Sequence, residues 1–333
     1  MSATRIPMTP KHPLVSVVIA AYNVQDCLGR AVQSVLAGEF QDFEVLIVDD
    51  GSRDATLDVA RQWAARDARI RVFSLGRNQG PSAARNRGID EAWGQWVGIL
   101  DADDAFLPHR LGQLMELAQR RGGDMVSDDL LLYDLGADQM MPPAFGWTEE
   151  QAMTLDMLLG TDTSVEHHPV GWVQPVWRVA FLRTHGLAYP TQYRYMEDFF
   201  LLASALICGG RIWLSPRAGY VYTLRVGPIS RQASPHSATQ AGLQDAGAVC
   251  QDLIARYRNI LPRRQVRALR NVHRGPQMRQ AMADAITTRR EQGLAAALLM
   301  LRRHPDAAWR LAVGKAGGLA NGLWRRLARK RIP

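Results

Sequence analysis

Residues Gly98–Asp104 read GILDADD, a short apolar run that ends abruptly in three carboxylates. We expect Trp96–Leu100 to form a buried strand, because an apolar run of this length is typical of a central strand in a parallel sheet. Three acids at its carboxyl end cannot be buried together without a cation, since like charges repel strongly in a low dielectric. Such oxygen ligands suit Mg²⁺ or Mn²⁺, which often share them with phosphate oxygens. The alternative is a strand that ends in a polar loop whose acids begin the next helix, and this stretch alone favours neither interpretation.

The composition is ordinary for a globular protein. The chain has 333 residues, 47% hydrophobic and 22% charged, which is enough for one domain with an extension or for two domains. Its three cysteines, Cys27, Cys208 and Cys250, are widely spaced and suit a reducing cytosol rather than a disulfide framework. Its longest apolar runs, Leu201–Cys208 and Leu294–Leu301, are too short to span a bilayer. We therefore expect a protein that is not integral to a membrane.

The net charge of +8 is concentrated at the C-terminal end. Residues 301–333 contain nine Lys and Arg and one acid, Asp306, so the rest of the chain is neutral. Leu319, Leu323, Trp324 and Leu327 would form an apolar stripe on one face of a helix, flanked by basic residues. Such a helix can lie on an anionic membrane surface, although a partner-facing helix or a disordered basic tail would have the same composition. Nucleic acid is not expected as a partner, because no basic platform with interleaved aromatic residues accompanies the charge.

Strands and helices alternate strictly after a polar, proline-containing leader at residues 1–13 that lacks a signal-peptide core. Strands are predicted at Leu14–Ala21, Glu44–Val48, Ile70–Ser74, Trp96–Leu100 and near Met125, with helices at Asp26–Ala37, Asp54–Trp63, Pro81–Trp93 and Pro108–Arg121. This alternation predicts an α/β fold, with an open, mainly parallel sheet and helices on both faces. Ligands of such sheets bind beyond the carboxyl ends of the strands. Three polar clusters, Tyr22-Asn23, Asp49-Asp50 and Asp101–Asp104, follow strand ends, so we expect them to share one cleft.

One of these clusters and one helix start each allow a binding role and a structural one. Asp49-Asp50 can accept hydrogen bonds from a ribose or a base edge, or Asp50-Gly51-Ser52 can be a turn that caps the next helix. Gly80-Pro81-Ser82 opens a helix that carries Arg85, and a helix start with an arginine suits an anionic phosphate. Arg85 on a solvated helix face is the alternative.

Further candidates lie in the second half of the sequence. Glu197-Asp198 precedes an apolar helix, Phe199–Cys208, where the two acids either complement the helix dipole or project a carboxylate into a cleft. An aspartate is already deprotonated at neutral pH, and partial burial would raise its pKa and improve it as a base. An aromatic cluster, Trp172, Trp177, Tyr193 and Tyr195, can stack on a sugar or simply pack in the core.

Five motifs in order carry a family resemblance. They are VSVVIAAYN (15–23), VLIVDDGSRD (45–54), NQGPSAARNRGI (78–89), GILDADD (98–104) and YMEDFFL (195–201). Together they closely resemble the family-2 glycosyltransferases of GT-A fold, over about Pro13–Arg231, and the branch that builds exopolysaccharides of the succinoglycan type fits best. One departure is Ala20, where the family commonly has proline before the aromatic-Asn turn.

The resemblance assigns roles to individual residues. It implies a general base at Asp198 beside Glu197. It implies a Mn²⁺ or Mg²⁺ ion held by Asp103 with Asp101 or Asp104. The residues expected to bind a nucleotide-sugar donor, with a UDP moiety expected, are Ala21, Tyr22, Asn23, Asp49, Asp50, Arg85, Asp101 and Arg225.

The resemblance also implies a reaction. We expect an inverting, metal-dependent glycosyltransferase that moves a single sugar, because Gln174–Arg178 has Trp and Arg in the reverse of the order in processive relatives and no spans are present. The expected acceptor is a lipid-linked oligosaccharide, reached from the cytoplasmic face of the inner membrane by a peripheral protein. We expect the GT-A domain to cover residues 14–235 and an α-helical region with a basic amphipathic tail to cover residues 236–333.

Two other functions stay open on the sequence. A sugar-nucleotidyltransferase would share the sheet and the metal, but it should carry a glycine-rich, lysine-bearing loop where this chain has Tyr22–Gln25. A non-catalytic scaffold at the membrane would keep the fold and the tail.

Overall fold

The computed structural model describes residues 12–160, 170–224 and 239–272, with six single residues between 288 and 302. The chain divides into two compact units, residues 1–268 and 269–333, and every element named below lies in the first. Arg225 and the basic tail lie outside the described residues, as does the leader up to residue 11. The first unit includes the helix Thr239–Arg256, and the domain boundary expected after residue 235 stays a prediction.

Residues 15–101 form four parallel strands joined by three helices. The elements are β1 (Val15–Ala21), α1 (Leu28–Leu36), β2 (Phe43–Asp49), α2 (Thr56–Arg66), β3 (Ile70–Ser74), α3 (Pro81–Glu91) and β4 (Trp96–Asp101). Strand β1 lies between β2 and β4, and β3 pairs with the outer edge of β2. Both β1 and β2 are buried almost throughout, which explains their continuous apolar sequences. The predicted alternation is confirmed in this half of the sheet.

Among the described residues, the rest of the unit adds two long strands and four short ones to the sheet. The elements are β5 (Ala105–Phe106), α4 (Arg110–Arg121), β6 (Met125–Asp134), β7 (Gln139–Pro143), β8 (Gln151–Met153), α5 (Leu155–Gly160), a 3₁₀ turn (Val170–Trp172), β9 (Val176–Arg178), α6 (Val179–His185), α7 (Glu197–Ile207), β10 (Ile212–Leu224) and α8 (Thr239–Arg256). The described residues form one ten-stranded sheet in the order β3-β2-β1-β4-β9-β6-β10-β5, with β7 beside β6 and β8 beside β10. Strand β9 runs antiparallel between β4 and β6, whereas β6 and β10 are parallel. The α/β fold class is confirmed.

Helix α3 packs directly on β1 because of a glycine. A Cβ atom added at Gly88 would lie 2.3 Å from Cγ1 of Val18, so any larger residue would push the helix off the sheet. This close approach places the amino-terminal part of α3, including Arg85, at the carboxyl ends of β1 and β4.

None of the helices in the described part of the chain is both long and apolar enough to cross a bilayer.

Candidate active site

The carboxyl ends of β2, β1 and β4 lie side by side. Ala21 is paired with Asp49 and Ala20 with Asp101, so the polar residues that follow these strands emerge at one edge of the sheet. The structure thus brings together the three clusters that were expected to share a cleft.

Asp49 has a structural role in the turn after β2. Its carboxylate is 1% exposed and accepts hydrogen bonds from the backbone N–H groups of Gly51 (3.2 Å) and Ser52 (3.1 Å), and from the Ser74 hydroxyl (3.2 Å). These contacts form a tight turn after β2, and donor binding by Asp49 stays a prediction.

Asp50 holds the loop that leads into α3. Its two oxygens accept hydrogen bonds from the N–H groups of Gln79 (2.7 Å) and Gly80 (2.8 Å). Burial raises the pKa of Asp50, and these two bonds and the charge of Arg194 oppose that effect. Asp50 is 3% exposed and both of its oxygens already bind the loop, so its contact with a donor stays a prediction.

The turn after β1 is fastened to the turn after β2. Asn23 adopts a left-handed φ of 51°, and its N–H donates to the Ser52 hydroxyl (3.0 Å), while its Oδ1 accepts from the Arg53 N–H (2.8 Å). The Ala21 carbonyl accepts from the Asp50 N–H (2.8 Å), and Tyr22 is half-buried at the rim. These contacts fix the floor of the cleft.

Arg85 lies at the centre of the site, between acids from two distant parts of the chain. Its Nη2 donates to Oδ1 of Asp101 (2.9 Å), and its Nη1 donates to Oε1 of Glu197 (2.9 Å) and lies 3.5 Å from Oδ1 of Asp198. Its side chain is 6% exposed. Burial works against the charge, but the three carboxylates hold the pKa of the guanidinium well above its ordinary value. One cation faces three acids, so this group of four side chains is negatively charged.

Asp198 has the environment of a base that is active near neutral pH. Burial raises its pKa to about 7. The charge of Arg85 opposes the shift, Glu197 and Asp101 add to it, and a hydrogen bond with Tyr189 opposes it. A third of the side chain remains exposed, so a substrate hydroxyl can reach it. Met196 precedes α7 with a left-handed φ of 63°, which orients the two acids at the helix start.

Tyr189 was not among the predicted site residues. It is 3% exposed, and its backbone is held by Asn86, whose side-chain amide donates to the Tyr189 carbonyl (2.8 Å) and accepts from its N–H (2.9 Å). The Arg85 guanidinium carbon lies 5.3 Å from the centre of the Tyr189 ring. Because Asn86 and Tyr189 are 103 positions apart in the sequence, no local pattern indicated the contact.

Asp104 ties the end of β4 to β10 instead of facing the cleft. It is 2% exposed, and its oxygens accept hydrogen bonds from the Tyr220 hydroxyl and the Thr223 N–H, both at 2.7 Å. Burial and the charges of Asp101 and Asp103 raise its pKa well above the ordinary range. Its oxygens already serve the protein, so Asp104 is the least suited of the three acids to bind a metal.

The turn that carries Asp103 is braced by an arginine that the sequence did not indicate. Arg30 of α1 donates to the backbone carbonyl of Asp103 and to the Thr223 hydroxyl (3.0 Å). The Asp101 N–H donates to the Tyr220 hydroxyl at 3.2 Å. Helix α1 and strand β10 therefore fix the position of this turn.

The remaining acids fit a cation that is shared with a phosphate group. Among the described residues, no group of three or more His, Cys, Asp or Glu could hold a metal without help. Mg²⁺ usually takes only one or two protein carboxylates and completes its shell with phosphate oxygens and water. Asp101 is 26% exposed and Asp103 is half-buried, so both can face a ligand in a region of surplus negative charge.

Several known proteins resemble this chain in sequence. Residues 16–176 match the model of a family described as glycosyl transferase family 2. The succinoglycan biosynthesis protein ExoO of Rhizobium meliloti is 39% identical over 227 residues, 68% of this chain and 65% of that protein. The chain therefore matches slightly less than two thirds of that relative's length. An uncharacterized glycosyltransferase of a Nostoc species is 31% identical over 263 residues, 73% of this chain and 76% of that protein.

A solved structure has a similar fold. The crystal structure of Staphylococcus aureus TarS 1-349 in complex with UDP-GlcNAc aligns with a TM-score of 0.59, covering 88% of this chain and 91% of that one. The two sequences are 17% identical, so this likeness concerns the fold alone.

Proposed function

This chain belongs to the family-2 glycosyltransferases, and we propose that it moves one sugar from a nucleotide-sugar to an acceptor hydroxyl with inversion at the anomeric carbon. The observation that carries the proposal is the position of Arg85 between Asp101 and the pair Glu197 and Asp198. Arg85 thereby connects Asp101 with Asp198. Asp101 ends the strand expected to face the donor diphosphate, and Asp198 is the acid expected to act as base.

A UDP-linked donor is supported by two features. The turns that contain Asn23 and Asp50 form a fixed floor at the ends of β1 and β2, where nucleotides bind in open α/β sheets. TarS, which shares the fold, has been crystallised with UDP-GlcNAc. In the proposed complex, Asp50 accepts a hydrogen bond from the nucleoside, and Ala21 and Tyr22 line its binding site. Arg225 is a further proposed diphosphate contact.

Sugar transfer proceeds in one displacement. The acceptor oxygen attacks the anomeric carbon from the face opposite the diphosphate, the C–O bond to the diphosphate breaks with its electron pair, and Asp198 takes the acceptor proton. Glu197 and Asp101 keep Arg85 in place, and Arg85 limits the charge repulsion around the base. Inversion follows because the two bonds lie on opposite faces of the sugar.

The proposed metal site is Asp103 with Asp101. A bound Mn²⁺ or Mg²⁺ would supply positive charge to the diphosphate leaving group. We expect activity to be lost in the presence of a chelator and regained when Mn²⁺ is added, and UDP release measures both. Full activity after exhaustive chelation would contradict the metal assignment.

The proposed acceptor is a lipid-linked oligosaccharide at the cytoplasmic face of the membrane, in the assembly of an exopolysaccharide. The relation to ExoO, a succinoglycan biosynthesis protein, supports this choice, as does the basic C-terminal tail. The protein would then work as a peripheral enzyme.

The decisive test is a panel of UDP-sugars incubated with the full-length protein, with UDP release as the readout. Turnover of one or a few donors, with inverted product from an added acceptor, is the expected result. Synthesis of UDP-sugar from UTP and a sugar phosphate would favour a nucleotidyltransferase, and donor binding without any turnover would favour a scaffold.

A further inference from the structure

Trp172 and Tyr222 form a stacked aromatic pair beside the carboxylates. Their ring centres are 5.9 Å apart, with an angle of 19° between the planes. Trp172 is 41% exposed, although large aromatic side chains are usually buried. By contrast, Trp177, which lies in the same part of the sequence, is 1% exposed and belongs to the core.

Each member of the pair lies beside an element of the active site. Tyr222 is on β10, one residue from Thr223, whose N–H binds Asp104. Burial raises the pKa of Tyr222, and the charges of Asp101, Asp104, Asp103 and Asp198 raise it further. The 3₁₀ turn with Trp172 packs against α7, since a Cβ at Gly171 would lie 3.7 Å from Phe199, the neighbour of Asp198.

The position of the pair separates it from the expected donor site. The turns with Asn23 and Asp50 lie at the ends of β1 and β2, whereas Tyr222 lies on β10, on the other side of β4 in the sheet. A sugar ring stacked on Trp172 would therefore approach Asp198 from the side away from the nucleotide. The acceptor must be at that side in an inverting displacement.

We propose that Trp172 and Tyr222 form the platform on which the pyranose ring of the acceptor stacks, so that its hydroxyl reaches Asp198. This inference rests on the proposed glycosyltransferase activity. A pyranose has an apolar C–H face that suits an aromatic ring and a rim of hydroxyls that suits the adjacent carboxylates. An acyclic alcohol has no such face and should gain nothing from the platform.

The test compares three acceptors of the same enzyme-bound donor, namely an alkyl glucoside or galactoside, glycerol and water. Trp172→Ala and Trp172→Leu should each lower the ratio of transfer to the glycoside over donor hydrolysis by roughly threefold to tenfold, the range for loss of an aromatic stacking contact. Trp172→Phe, which keeps an aromatic ring, should restore most of the ratio. Saturation-transfer NMR with the glycoside alone should show contact with its C–H face, and Trp172→Ala should weaken that signal.

A matched control is Trp93, which is 54% exposed. It lies just before β4, at the amino ends of the parallel strands and away from the site at their carboxyl ends. Trp93→Ala should change neither the ratio nor the NMR signal. If Trp172→Leu keeps the wild-type ratio in a folded enzyme that turns over donor, the platform is overturned and the proposed function stands. If the wild-type protein turns over no donor, the proposed function itself fails.

Discussion

At the residue scale, burial and the neighbouring charges together set the pKa of one acid, Asp198. The pKa of Asp198 is raised to about 7, mainly by burial. Below that pH the carboxyl is protonated and cannot accept a proton. We therefore expect kcat/KM to fall about tenfold for each pH unit below 7 and to level off above it, because this parameter reports the free enzyme. A profile that is flat from pH 5 to 8 would show that Asp198 is not the base.

Substitutions at Asp198 and Glu197 distinguish the proposed base from the acid that holds Arg85 in place. Asp198→Asn should reduce transfer by about 10²- to 10⁴-fold, the range for loss of a general base, while donor binding measured by calorimetry persists. Glu197→Gln removes a negative charge next to Asp198 and frees Nη1 of Arg85 to interact with Asp198 alone. Both effects should lower the pKa of Asp198, so the fall in kcat/KM should begin at a lower pH. A fall that begins at a higher pH would contradict the charge assignment.

Arg85 should tolerate no replacement, including lysine. Its forked guanidinium contacts Asp101 with one nitrogen and Glu197 with the other, which a single ammonium group cannot reproduce. Arg85→Lys should lower kcat by about 100-fold, the scale of loss from a small misplacement of reacting groups. Arg87→Lys, on the exposed part of the same helix, is the matched control and should behave like the wild type. Wild-type kcat in Arg85→Lys would show that the fork is not needed.

The sequence indicated the residue types at the site better than their contacts. The carboxylates and Arg85 were found because they follow strand ends or open helices. Their mutual geometry could not be read, since Arg85 and Glu197 are 112 positions apart. Tyr189 and Arg30 carry no local pattern at all. The sequence left open whether Asp101 or Asp104 assists Asp103, because the bond from Tyr220 to Asp104 joins residues 116 positions apart.

At the element scale, the helices and parallel strands of the first half were predictable because periodicity and burial agree there. Strand β3 lies where it was predicted, at Ile70–Ser74. Strands β5 and β9 have two and three residues, too few for a period to show. Strand β10 spans Ile212–Leu224, and a register shift between Ser215 and Tyr220 interrupts its alternating pattern.

The contact of α3 with β1 predicts a stability effect. Gly88→Ala would place a Cβ 2.3 Å from Cγ1 of Val18, a β-branched side chain that has little freedom to move. We expect a loss of about 1–3 kcal/mol in the free energy of unfolding, measured by urea denaturation.

Gly112→Ala is the control for that effect. It makes the same change within α4, where the nearest atom to the new Cβ is 3.9 Å away on Phe40. Alanine there should stabilise the protein by about 0.5–1 kcal/mol, because glycine is unfavourable inside a helix. Equal effects of the two substitutions would contradict the role of the close approach.

At the scale of the whole molecule, charge is divided between a neutral body with an acidic cleft and a basic end. The cleft carries its charge on a few fixed groups, whereas the nine basic residues of 301–333 are spread along the chain. Their proposed role is therefore to place the enzyme on an anionic surface, where a lipid-linked acceptor is held.

Removal of residues 319–333 tests that role, because this segment contains five basic residues and no acid. Each basic residue near an anionic surface contributes about 1 kcal/mol, so the loss of five should weaken binding to vesicles with phosphatidylserine by roughly 10³-fold. The difference should shrink at high salt, because the Debye length falls to about 3 Å at 1 M. Donor hydrolysis in solution, without vesicles, should be unaffected.

Leu323→Ser with Trp324→Ser keeps the charge and removes the apolar stripe, so an intermediate loss is expected from a helix that inserts its apolar face. Unchanged vesicle binding by the truncated protein would show that the tail serves another partner.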